Sequence, residues 1–169
     1  MSLRTIITLP DPILRRKSHK VTSFDRSFQD LVDDMIATMR QAPGVGLAAP
    51  QIGVPNRLIV VEYGDEVDEE KPKKLYLIAN PEIIQLSEEQ VTGIEACLSV
   101  PGLVGEVVRF EQVVIRGLNR FGKPARITAK GWLARIFQHE IDHLDGVLYV
   151  DRASRVWQPT EEEAQVLAD

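Results

Sequence analysis

The sequence holds one cysteine and three histidines in 169 residues. A single cysteine excludes an intramolecular disulfide framework, and histidine this scarce makes each one informative. No apolar run approaches the roughly eighteen residues a membrane-spanning helix needs. Positive charge is not in excess either. Twenty Lys+Arg against 25 Asp+Glu leave a net charge of −5, the wrong sign for a general nucleic-acid binder. Ten Pro and eleven Gly sit near background, which excludes collagen and a disordered linker. The opening Met1-Ser2-Leu3-Arg4 lacks the order of a signal peptide, and no repeat or low-complexity segment interrupts the chain. What is there is ordinary: 44% hydrophobic, 27% charged, and a length that suits one domain with a core needing no staples. The expectation is a single soluble domain over residues 1–169, placed in the cytoplasm, with no membrane partner and no direct nucleic-acid binding.

Local patterns predict the elements. Pro10 and Pro12 make the first twenty residues an extended arm with turns, and Arg15, Arg16 and Lys17 a solvated basic face. Phe28, Leu31, Val32, Met35, Ile36 and Met39 recur at helical spacing. Asp30, Asp33 and Asp34 are expected on the outer side of that helix, and Pro43-Gly44 at its end. Strands are expected at 58–61, 75–78, 90–92, 107–118 and 125–129, with a charged loop over 64–74 and a hairpin connection over 119–124. Asn80-Pro81 is expected to close the second strand. Helical period returns over 131–145, where Leu133, Phe137, Ile141 and Leu144 share one arc and Trp132, His139 and His143 an adjacent one. Gly146 is placed to stop this helix, 147–150 reads as a last strand, and Thr160 with Glu163 as the cap of a short acidic helix. The fold class is α+β: small antiparallel β-sheets packed around one central helix.

Three segments carry chemistry. His139-Glu140-Ile141-Asp142-His143 matches H-E-x-x-H, whose histidines, four apart on a helix, reach one metal ion while Glu140 stays within range of an attacking water. Two histidines on a solvent-facing helix would be the bland alternative, but apolar residues flank them and unpaired buried histidines are costly. A third ligand is required. His19 sits among Lys17, Ser18 and Lys20 and reads as a surface residue, whereas Cys97, in Glu95-Ala96-Cys97-Leu98-Ser99, is the better candidate. A lone cysteine is more often a small buried hydrophobe; beside an H-E-x-x-H helix the balance shifts towards a ligand. The third segment, Gly44-Val45-Gly46-Leu47-Ala48-Ala49-Pro50-Gln51, allows close backbone approach, and the Gln51 amide could donate to a developing oxyanion. A tight helix-to-strand turn would explain its glycines equally well, and no P-loop lysine follows.

Together and in this order, the three segments resemble the motifs G-x-G-x-A-A-x-Q, E-G-C-L-S and H-E-x-D-H of the peptide deformylases. The likeness continues through Gly53-Val54 and through Leu144-Asp145-Gly146-Val147-Leu148, and covers most of the chain between Pro10 and Val150. The resemblance implies one catalytic domain over 1–169 that removes the formyl group from the N-terminal methionine of nascent polypeptides and releases formate. It implies one divalent metal held by Cys97, His139 and His143, typically Fe2+ with Zn2+, Ni2+ or Co2+ acceptable, and a water completing the site. Glu140 is implied as the base that moves the water proton to the leaving amine, and Gln51 with the backbone N–H of Leu98 as oxyanion donors. Gly46 is implied to line the site. Val45 and apolar residues before His139 are candidates for the wall of a methionine pocket. The substrate implies proximity to the ribosome, to which the acidic tail over 160–169 is poorly suited.

One position departs from the pattern: Ala96 stands where the family has glycine. A positive φ there would strain alanine by about 1 kcal/mol or more; a negative φ would leave only an extra methyl beside the cleft. Activity is expected to survive, since ligands, base and oxyanion donors are all present. The competing enzyme class is a metalloprotease, which would need a further His or Glu ligand, and no histidine follows His143. The non-enzymatic alternative, a structural metal site or binding module, would need neither Glu140 nor Gln51.

Overall fold

The computed structural model describes residues 1–64 and 67–168; residues 65 and 66 of the expected charged loop and Asp169 of the acidic tail lie outside the described residues. Its elements run α1 (Arg26–Gln41), β1 (Gly46–Ala48), β2 (Leu58–Tyr63), β3 (Lys74–Leu86), β4 (Gln90–Cys97), β5 (Val100–Phe110) and β6 (Gln112–Leu118). They continue with β7 (Pro124–Lys130), α2 (Gly131–Leu144), α3 (Tyr149–Arg152), β8 (Arg155–Trp157) and α4 (Glu161–Ala168). One antiparallel sheet has the order β1-β2-β3-β6-β7, and a second has β4-β5-β8. The expected α+β class is the observed one.

The apolar run of β2 has two partners. Leu58 and Val60 pack into the core under α1, while Ile59 and Val61 pack into the core under α2. A strand covered on both faces must be apolar at every position, which is why no alternation appears there. The α1 stripe from Phe28 to Met39 buries as expected, and the Asp25 side chain caps the helix by accepting from Phe28 N at 3.0 Å. Helix α2 places Phe137, Ile141 and Leu144 against the larger sheet. Its other side meets the smaller one: Gln138 exchanges hydrogen bonds with the backbone of Phe110, and Arg135 donates to Val107 O. The helix therefore runs between the two sheets.

An arm formed by the first residues closes over this arrangement. Ile7 N donates to Gln51 O at 2.7 Å, Leu9 N to Ser99 O at 3.0 Å, and Ser18 N to Leu144 O at 2.8 Å, at the end of α2. Arg15, Arg16 and Lys17 are exposed, as the basic face required.

Four local expectations fail, each for a physical reason. Asp34 is buried, because the arm covers it: Ser2 N donates to Oδ1 at 2.7 Å and Arg4 Nε to Oδ2 at 2.9 Å. The strand expected to stop at Asn80-Pro81 runs on to Leu86, since the ladder skips between Ala79 and Glu82 and the proline falls at this irregularity. Asn80 itself turns to φ 52° and clamps both backbone groups of Val21. The single strand expected over 107–118 is two, β5 and β6, which part at Glu111 and enter different sheets. Residues 147–150 form no strand. Asp151 accepts from Leu148 N at 2.9 Å, a local side-chain bond that starts the short helix α3 instead. The tail agrees with its pattern: Glu163 N donates to Thr160 Oγ1 at the start of α4.

Candidate metal centre

A numerical match between helix and strand assembles the site. Two residues of strand advance about 6.6 Å and four residues of helix about 6.0 Å, so alternate positions on β4 can face every fourth position on α2. Three levels follow. At the first, Gly93 lies under the guanidinium of Arg135, where a β-carbon would come within 2.7 Å of Cζ. At the second, Glu95 Oε1 meets His139 Nδ1 at 2.8 Å. At the third, Cys97 Sγ meets His143 Nε2 at 3.4 Å. Ile94 and Ala96, between these levels, are exposed.

Cys97, His139 and His143 each present one ligand atom, and these atoms lie within 4.8 Å of one another. Tetrahedral coordination by one thiolate and two imidazoles places ligand atoms roughly 3.3–3.6 Å apart, which the Cys97–His143 distance already satisfies. The donor set, a soft sulfur with two imidazole nitrogens, suits a borderline divalent cation. Glu140 Oε1 is buried without a hydrogen-bond partner among the described residues, as a polar group in a site built around a further species would be. The residues fit one metal ion. His19, the rejected third ligand, is exposed and stands outside this group.

Glu95 is the residue whose role the sequence did not disclose. Its carboxylate is buried and takes four bonds: Arg109 Nη2 and His139 on Oε1, Arg109 Nε and Arg135 Nη1 on Oε2. Burial alone would raise its pKa, but the Arg109 and His139 contacts overcome that and hold it well below the usual carboxylate range. A carboxylate kept ionised makes His139 Nδ1 the donor, leaving Nε2 to the ligand group. Arg109 also donates to Asp142 Oδ2, which Arg152 engages in turn, tying the second acid of the helix motif into the same network.

Gly46 and Gln51 come from the chain's first half. A β-carbon on Gly46 would fall 2.6 Å from Glu140 Oε2, so the glycine leaves the space that the carboxyl fills. Burial pushes Glu140 up to about 7, with the pull of His139 opposing the rise and the charge of Glu95 adding to it. Gln51 is buried. Its Oε1 accepts from Ala48 N at 3.0 Å, which turns Nε2 towards Ser99 Oγ at 3.1 Å and Cys97 Sγ at 3.7 Å. Leu98 packs close to Gly44, and Val45 is exposed beside Gly46. Among the apolar residues before His139, Phe137 is wholly in the core, edge-on to Tyr76 at 5.4 Å. Burial works against a charged His139, yet Cys97 and Glu95 keep its pKa raised; burial and the charge of His139 lower that of His143. The arrangement can hold a cation, a proton on Glu140 and an amide donor beside the sulfur.

A family model for polypeptide deformylase matches residues 3–158. The peptide deformylase of Symbiobacterium thermophilum is 48% identical over 165 residues, covering 98% of this chain and 73% of that one. Among solved structures, peptide deformylase from Ehrlichia chaffeensis in complex with actinonin superposes with a TM-score of 0.85 at 41% identity, over 92% of this chain and 91% of that one. A Met-Ala-Ser-bound class I type b peptide deformylase from Acinetobacter baumannii gives 0.82 at 35% identity, over 89% and 98%.

Proposed function

The chain belongs to the polypeptide deformylase family, metal-dependent enzymes that deformylate nascent polypeptides, and on that premise we propose how its residues divide the work. Residues 1–169 act as one catalytic domain. Cys97, His139 and His143 hold a single divalent cation, Fe2+ in preference to Zn2+, Ni2+ or Co2+. When bound, the cation supplies Lewis acidity that makes water a competent nucleophile near neutral pH. A Glu140 carboxylate oxygen takes the proton from the water that attacks the formyl carbon and gives it to the departing amine nitrogen. Gln51 Nε2 and the backbone N–H of Leu98 donate to the oxyanion; the fixed Gln51 Oε1 orients this donor before substrate arrives. The products are formate and a free amino terminus.

β1 is an edge strand of its sheet, so an extended peptide can lie along it with Gly46 beneath the formyl group and Val45 beside the first side chain. A formyl carbon bears only hydrogen, and a site as closely packed as the one around the buried Glu140 favours it over acetyl. The methionine preference is supported by the Acinetobacter relative, which is bound to Met-Ala-Ser. The substrate is the N-formylmethionyl end of a nascent polypeptide, met in the cytoplasm close to the ribosome, without a membrane partner or direct nucleic-acid binding. Among the described residues no helix is long and apolar enough to cross a membrane.

The observation that carries this reading is the buried Glu140 carboxyl lodged over Gly46, on the helix that also bears His139 and His143. The test is formate release from a formyl-Met peptide by protein loaded anaerobically with iron. Glu140→Ala should lower kcat by about 10²–10⁴-fold with metal still bound. Turnover at the parent rate in that variant overturns the assigned base.

A further inference from the structure

Arg135 sits four residues before His139 and eight before His143, on the same face of α2, and the mechanism above does not use it. It is buried, and its bonds point in two directions. Nη1 donates to Glu95 Oε2 at 2.7 Å and to Val107 O at 2.9 Å, and Nη2 donates to Val91 O at 2.7 Å. Val91 and Val107 lie on adjacent strands, so the guanidinium is pinned to the backbone of the smaller sheet across Gly93. Trp132, one turn earlier, covers it at 5.5 Å. Arg109 approaches Glu95 from β5 through both oxygens. Arg109 sets the plane of the carboxylate from β5, whereas Arg135 ties the same carboxylate to the helix that bears His139. Arg135 supplies the second fixed point, and the Glu95 oxygen on His139 Nδ1 then has one position.

We propose that Arg135 is a positioning residue for the deformylase reaction: it locks Glu95 against His139 and so fixes the imidazole that presents Nε2 to the metal. This rests on the deformylase reading of the site. The guanidinium touches neither ligand atoms nor substrate and acts through Glu95.

The test compares parent protein, Arg135→Met, Arg135→Lys and Gly93→Ala, each loaded with zinc. Gly93→Ala keeps the arginine and its charge but places a methyl where the guanidinium lies, so it perturbs position alone. Zinc loss to a coloured chelator, melting temperature, and kcat and KM for a formyl-Met peptide are measured. Arg135→Met and Gly93→Ala should lose zinc about 10- to 100-fold faster, the usual effect of disturbing a partner of a ligating histidine. Their kcat should fall while KM stays within about twofold, and Arg135→Lys, which retains one cationic donor, should recover part of both losses. Zinc loss at the parent rate in the variants that fold overturns the proposal, whatever their melting temperatures, and leaves Arg135 a packing residue. Failure of all three to fold overturns it as well, since the residue is then required by the fold. Parent protein that neither holds zinc nor releases formate is a different result: it removes the deformylase reading itself.

Discussion

Ala96 lies on β4 between Glu95 and Cys97, exposed, and its φ is not in the left-handed region. Among the described residues Asn80 is the one non-glycine there. The methyl therefore carries no backbone strain and points away from the ligand face. Ala96→Gly should leave kcat/KM within about threefold and cost up to about 1 kcal/mol in a denaturant melt, from the greater freedom of glycine in the unfolded chain. A gain of several hundredfold would mean that the methyl obstructs the reaction. Gly46 has the opposite logic, for it is the neighbour's carboxyl, not its own φ, that excludes a side chain. The glycines of 44–46 announced a close approach in the sequence without saying to what. His139, Glu140 and His143 were legible because helical spacing is local. Glu95 and Arg135 were not, because their partner lies forty residues away and no period links a strand to a helix across that distance.

At the scale of elements, α1 is held partly by a segment that precedes it. Asp34 would face solvent on the bare helix, and the arm converts it into an anchor through Ser2 N and Arg4. The Ser2 N–H bond foremost, with Arg4, keeps its pKa lowered. The sign follows: a carboxyl lowered on folding stabilises above its unfolded value, about 3.9, and loses that contribution as pH falls through the folded value. Asp34→Asn should thus cost about 1 kcal/mol or less at pH 7, Arg4 being partly solvated, with the gap to the parent closing below about pH 4. Melting both proteins across that range checks it; a gap independent of pH would assign the anchor to shape, not charge. The helical period of α1 and α2 and the continuous apolar run of β2 were readable from the order of residues alone. Residues 107–118 were not, because one continuous β-rich run feeds two sheets, and what divides it is the tertiary destination of each half.

For the whole molecule, the cores under α1 and α2 are apolar and do not include the ligand atoms of the site. The fold should therefore survive loss of the ion, unlike a zinc finger. Chelation should lower the melting temperature while circular dichroism at 25 °C keeps its native shape. With ion at 100-fold over Kd the difference is about 2.7 kcal/mol, or about 5 to 11 °C for a chain of this size. Equal melting with and without metal would show that the native state does not bind it preferentially. The three levels at which α2 meets β4 also restrict how this gene can change in length. One codon gained or lost between Gly93 and Cys97 would invert the later side chains of that strand, turning sulfur or carboxylate outward.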